Sequence, residues 1–92
     1  MTHYEISHVL FMSTTHGKKE DFEEGGYIAE NASYSSEYGN LLVAEQHTAE
    51  LHGEDTPDHL VPILELAARL KCDYIAFDRD ATPYDELTEY DW

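Results

Sequence analysis

Basic residues are what this chain lacks. Of its 92 residues only five are Lys or Arg, against twenty Asp and Glu, so the formal charge is −15 and the pI is near 4.4. A chain so balanced repels phosphates, and direct binding to DNA, RNA or anionic lipid is not expected of it. Cysteine is nearly missing too. Cys72 stands alone, so no internal disulfide can form and a reducing cytosol is the expected compartment. The Asn31-Ala32-Ser33 sequon is accordingly read as accidental. No apolar run nears the ~20 residues of a membrane-spanning helix. The opening MTHYEISHVL has no basic segment ahead of an apolar one, so no secretory signal is expected.

What is present points to a folded object. Apolar residues make up 41% of the chain, and the aromatics comprise seven Tyr, three Phe and one Trp. Acidic disordered chains are poor in such residues. The expectation is one domain over residues 1–92 with one modest core. Single-sign charge on a small body raises its free energy by self-repulsion, so the imbalance calls for a reason.

The elements are read from periodicity. Ile6-Ser7-His8-Val9-Leu10-Phe11-Met12 predicts a strand over about residues 3–13. Glu20-Asp21-Phe22-Glu23-Glu24, closed by Gly25-Gly26, fits one helical turn or a loop. Tyr27–Ala32 and Leu41–Glu45 read as strands joined through the turn-forming SYSSEYGN. Residues 46–56 read as loop. A helix then starts near Thr56 or Asp58, either of which could cap it. Its apolar stripe is Leu60, Ile63, Leu64, Ala67 and Leu70. Pro62 either sits in its first turn or kinks it. Tyr74-Ile75-Ala76-Phe77 reads as a short continuous apolar strand, and Tyr84, Leu87, Tyr90 and Trp92 are expected to pack the tail onto the body. The resulting β-β-β-α-β order predicts an α+β fold. Its sheet would be small, mixed or antiparallel, of about four strands, with one main helix on one face. A parallel pair formed through the helix crossover would make it mixed.

Few residues suggest chemistry. Phe77-Asp78-Arg79-Asp80-Ala81-Thr82 after a strand resembles the nucleophile motif of haloacid-dehalogenase-type phosphatases. There the first Asp attacks phosphorus, the second is acid/base and Mg²⁺ neutralises the site. That motif opens its fold, with a Lys and further Asp motifs downstream, whereas here ten residues follow Thr82 and none is Lys. The plainer reading is a strand-ending Asp that caps the next turn. His47, His52 and His59, with Asp55 and Asp58, invite a weak Zn²⁺ or Ca²⁺ site, but they lack the tight ligand spacing of known motifs and read as solvated. Cys72 sits beside Asp73, whose charge raises a thiol pKa, so it reads as a core or boundary residue rather than a nucleophile. No catalytic residue, cofactor or metal is expected.

The acids themselves are the signal. Twelve carboxylates lie from Glu20 to Glu65, and no Lys or Arg occurs between Lys19 and Arg69. They cluster as Glu20/Asp21/Glu23/Glu24, as Glu50/Glu54/Asp55/Asp58, and as Asp78/Asp80/Asp85/Glu86/Glu89/Asp91. The residues chosen as partner-binding are Glu20, Asp21, Glu23, Glu24, Glu54, Asp55, Asp58, Asp85, Glu86, Glu89 and Asp91. Duplex DNA carries one charge per ~1.7 Å, so a body ~30 Å across faces a duplex stretch of roughly 18 charges. This chain matches that density without bases. It fits a non-catalytic nucleic-acid mimic that blocks a basic protein surface, with tyrosines supplying contact area. Two rivals remain open: a general acidic interaction module, and a halophile's surface, although Glu here outnumbers Asp.

Ser13-Thr14-Thr15-His16, Glu37-Tyr38-Gly39 and the closing CDYIAFDRDATPYDELTEYDW together resemble a family of small uncharacterised acidic domains from plasmids, integrative elements and phages. The size and charge are also similar to those of anti-CRISPR inhibitors of type I effector complexes, type I-C among them. That resemblance implies a cytosolic, non-catalytic protein that occupies the DNA-binding surface of such a complex and excludes target DNA. It carries no residue roles.

Overall fold

Four short strands make one mixed sheet in the computed structural model of the chain, which describes residue 4 and residues 6–36, 39–44 and 56–91. They are β1 (Val9–Ser13), β2 (Tyr34–Ser36), β3 (Gly39–Val43) and β4 (Tyr74–Asp78), in the spatial order β1-β4-β3-β2. β1 and β4 run parallel, while β4 and β3, and β3 and β2, run antiparallel. The α+β class, the strand number and the mixed sheet agree with the expectation.

The strand boundaries differ from it. β1 begins at Val9 rather than residue 3, because its first ladder contacts come from the β4 side. His8 N donates to Asp73 Oδ2 at 2.9 Å, and Asp73 N donates to His8 O at 2.7 Å. Residues 27–32 do not form a strand. They form helix α2 (Tyr27–Asn31), which follows the one-turn helix α1 (Lys19–Phe22). Ala29, Glu30 and Asn31 are poor strand residues. The helix is also nucleated at Gly26, whose carbonyl accepts from Glu30 N at 2.9 Å. A Cβ on Gly26 would lie 2.0 Å from the Glu20 carbonyl oxygen, so only glycine permits this approach of α1 and α2. The second strand of the hairpin pair comes instead from Tyr34–Ser36, inside the stretch read as a turn, and pairs Tyr34 with Leu41.

The main helix, α3 (Val61–Arg69), follows a 3-10 turn (Asp58–Leu60) and carries Pro62 in its first turn, where no N–H is missed. Neither Thr56 nor Asp58 caps it: the residue before the 3-10 turn is Pro57, and no side-chain capping bond is made there. Leu60, Ile63, Leu64 and Ala67 are buried as the stripe requires, but Leu66 takes the place expected of Leu70, which is 53% exposed. Leu70 lies past the last helical residue, where the chain turns through Lys71 at φ 56°.

Pairing decides which face each strand residue takes. Leu10, Ile75 and Leu42 stand in one row, and Met12 and Phe77 in the next, all towards α3 and Ile28 of α2. The next residues along each strand point to the opposite face, as the period of two demands. Among the described residues, no helix is long and apolar enough to cross a membrane.

Candidate functional site

The tail from Arg79 to Asp91 forms neither helix nor strand, yet it is fastened at several points. His16 is its main anchor. This side chain is 1% exposed and lies at the end of the 3-10 turn Thr14–His16 that follows β1. Its Nε2 accepts from Tyr84 N at 2.9 Å, and its Nδ1 lies 2.9 Å from Thr88 O. A backbone N–H can only donate and a carbonyl can only accept, so the ring is the neutral Nδ1–H tautomer. Further along, Tyr90 N donates to Thr15 O at 2.7 Å, and Thr15 Oγ1 donates to Glu89 Oε1 at 3.2 Å. The Tyr84 hydroxyl donates to Phe11 O on the outer edge of β1. That bond occupies an edge carbonyl that would otherwise be open to another strand. The tail is thus a strap across β1, its 3-10 turn and α3, with Tyr84 and Leu87 packed on the core. Ser13–His16 and the closing segment, two of the stretches that carried the family resemblance, are bound to each other.

One predicted surface carboxylate is not at the surface. Asp21 is 4% exposed; its Oδ2 accepts from Lys18 N at 2.7 Å and lies 2.6 Å from His59 Nε2. Asp21 therefore holds the start of α1 and ties it to the 3-10 turn before α3, and it cannot face a partner. His59, read as a solvated loop histidine, is half-buried in this pair, and the Tyr90 ring meets it edge-on with centroids 5.8 Å apart.

The segments that meet at this knot carry exposed acids on either side of it. Glu20, Glu23 and Glu24 are exposed beside Asp21, Asp58 is exposed beside His59, and Glu89 and Asp91 are exposed on either side of Tyr90. Representatives of all three sequence clusters thus meet at one place, joined through Asp21, His59 and Tyr90. Asp85 and Glu86 are exposed on the strap further back, where Glu86 pairs with Arg69 at 3.0 Å beside α3. Glu54 and Asp55 lie outside the described residues, as do His47, His52 and Trp92. The local bases offset little of this charge. Lys19 reaches Glu23 at 3.8 Å in an exposed pair, a type that contributes at most about 1 kcal/mol. Lys18 Nζ sits over the Tyr90 ring, 5.5 Å from its centre.

Asp78 ends β4 as the plainer reading expected. Its Oδ1 accepts from Asp80 N at 2.8 Å and its carbonyl from Ala81 N at 3.1 Å, so the carboxylate caps the turn. Cys72 is half-buried against the core. Among the described residues, no group of three or more His, Cys, Asp or Glu is placed to hold a metal ion. A cavity of about 120 Å³ under the strap is lined by His16, His59, Glu86 and Tyr90 among others. It is below the ~300 Å³ at which small-molecule sites begin.

Fold and surface together define a small acidic α+β domain: a four-stranded mixed sheet covered on one face, with carboxylates gathered where α1, the 3-10 turn before α3 and the strap meet. The chain belongs to a family of unknown function, DUF5983, whose C-terminal-domain model matches residues 9–92. No curated protein and no solved structure matches it.

His16 escaped the sequence reading. It stands alone after a strand, with no spacing to a partner, and the groups it binds are main-chain atoms 68 and 72 residues away.

Proposed function

We propose that this domain is a non-catalytic inhibitor that presents carboxylates to a cationic protein surface and competes there with nucleic acid. The observation that supports this is the gathering of exposed Glu20, Glu23, Glu24, Asp58, Glu89 and Asp91 around the Asp21–His59–Tyr90 knot, in a chain of net charge −15. Carboxylates so placed can pair with Arg and Lys that otherwise hold phosphates, and the long-range field speeds encounter. The partner is the basic DNA-binding surface of a host defence complex in the cytosol, and a type I CRISPR effector is the specific candidate.

The test is a DNA-displacement assay on a purified type I effector complex, with Glu23→Lys/Glu24→Lys and Asp85→Lys/Glu86→Lys/Glu89→Lys variants. Each set should weaken inhibition at least about tenfold, as loss of close charge pairs does, with an unchanged circular dichroism spectrum. The affinity of the wild type should fall steeply with added salt. Wild-type inhibition by both variants, or salt-insensitive binding, removes the proposal.

A further inference from the structure

The face of the sheet turned away from α3 is built as a contact surface. Register places Val9, Tyr74 and Val43 in one row across it, and Phe11, Ala76, Leu41 and Tyr34 in the next. The uncovered face of a mixed or antiparallel sheet ordinarily carries polar residues; these two rows carry aliphatic and aromatic ones. Phe11 is 58% and Tyr34 74% exposed, with a shallow groove of about 330 Å³ between them. Contiguous apolar surface of this kind marks interaction sites, and aromatic anchors dominate binding energy at them.

Charge selects the occupant. Asp78 lines the groove at one end of β4, with the exposed Asp80 next to it in the turn that follows. Arg79, between Asp78 and Asp80, supplies one opposing charge. A second copy of the chain would bring −15 against −15 and set the same aspartates near one another. An anionic lipid surface or a nucleic acid meets the same repulsion. We infer that this face docks a protein ridge of apolar side chains flanked by Lys or Arg. The apolar side chains fill the Phe11–Tyr34 groove while the cations reach Asp78 and Asp80. The inference rests on the cationic partner proposed above and gives that partner its apolar footprint, on a different side of the sheet's edge from the carboxylates around Tyr90.

The probe is a twelve-residue peptide alternating Leu and Lys, titrated into the ¹⁵N-labelled protein. A Leu/Glu peptide and a Ser/Lys peptide serve as controls. The Leu/Lys peptide should shift amide signals of Val9–Ser13, Gly39–Val43 and Tyr74–Asp78, and both controls should bind more weakly. Tyr34→Ser alone, and Phe11→Ser with Tyr34→Ser, should each weaken binding at least about tenfold, the usual effect of losing an anchor. Tyr34 is at a sheet edge and exposed, so its variant keeps the fold even where the double variant does not.

Shifts confined to α1, α3 or the strap, or wild-type affinity in Tyr34→Ser, overturn the inference. So does a dimer in sedimentation equilibrium that Tyr34→Ser dissolves, since the face would then be a self-interface. The two proposals separate cleanly. Loss of binding in the Glu23/Glu24 variant with none in Tyr34→Ser keeps the inhibitor reading and removes the docking face. The reverse pattern keeps the docking face and removes nucleic-acid mimicry.

Discussion

Replacing His16 with Leu tests whether the strap is held by one imidazole. Leu has comparable bulk and keeps the apolar contacts, but it can neither accept from Tyr84 N nor donate to Thr88 O. Tyr84 is half-buried, so its N–H loses its partner with little water to replace it, at a cost of about 1–3 kcal/mol. Thr88 is exposed and its carbonyl can turn to solvent, so that bond contributes only about 1 kcal/mol. The sum is about 2–4 kcal/mol, a large share of the ~5–15 kcal/mol that holds a domain of this size. At about 4–8 °C per kcal/mol, Tm should fall by roughly 8–32 °C.

The loss should also be local. Hydrogen exchange at the Tyr84 and Tyr90 amides should accelerate more than at α3 amides, because the strap opens before the core does. His16→Gln, whose amide can serve one of the two partners, should lie between Leu and wild type. A His16→Leu protein within about 0.5 kcal/mol of wild type, with Tyr84 still protected, would refute the assignment of His16 as anchor.

Two further outcomes follow from burial and backbone geometry. Asp21→Ala leaves Lys18 N and His59 Nε2 without their acceptor and should cost about 2–4 kcal/mol in urea unfolding. Glu20→Ala, one residue away and exposed, should stay within about 0.5 kcal/mol of wild type; equal effects would put Asp21 back among the surface acids. Lys71 holds a left-handed φ of 56° at the end of α3, a position that favours glycine. Lys71→Gly should therefore raise stability by about 0.5–1 kcal/mol, and a lower Tm would show that the lysine side chain matters more than its backbone.

Local pattern made the long elements legible. Leu60, Ile63, Leu64 and Ala67 recur at helical spacing, and that stripe is the buried face of α3. Tyr74–Phe77 is apolar throughout because Ile75 and Phe77 enter the core while Tyr74 and Ala76 belong to the apolar rows of the opposite face. The short elements were not legible. Tyr27–Asn31 opens with the strand formers Tyr27 and Ile28, but the close seat of Gly26 on the Glu20 carbonyl turns it into a helix. Tyr34–Ser36 has turn composition and becomes an edge strand because β3 offers it a partner. A three-residue strand has no periodicity of its own to read.

The candidate site divides in the same way. Its charge was plain in the composition, and the expectation that Tyr84, Leu87 and Tyr90 bring the tail home needed only their apolarity. Which acids stay in water was not plain. Asp21 and Glu20 are neighbours of nearly equal chemistry, and only the arrival of His59 from 38 residues away makes one of them structural.

The sequence by itself determined the sign and density of the surface charge, the α+β class and the stripe of the main helix, since each depends on residue type and on spacing within a few positions. The tertiary structure alone decided that the acidic clusters converge, that His16 clasps the tail, and that Phe11, Leu41 and Tyr34 share one open face. Those are contacts between distant segments, and the free energy that selects them arises only when the whole core closes.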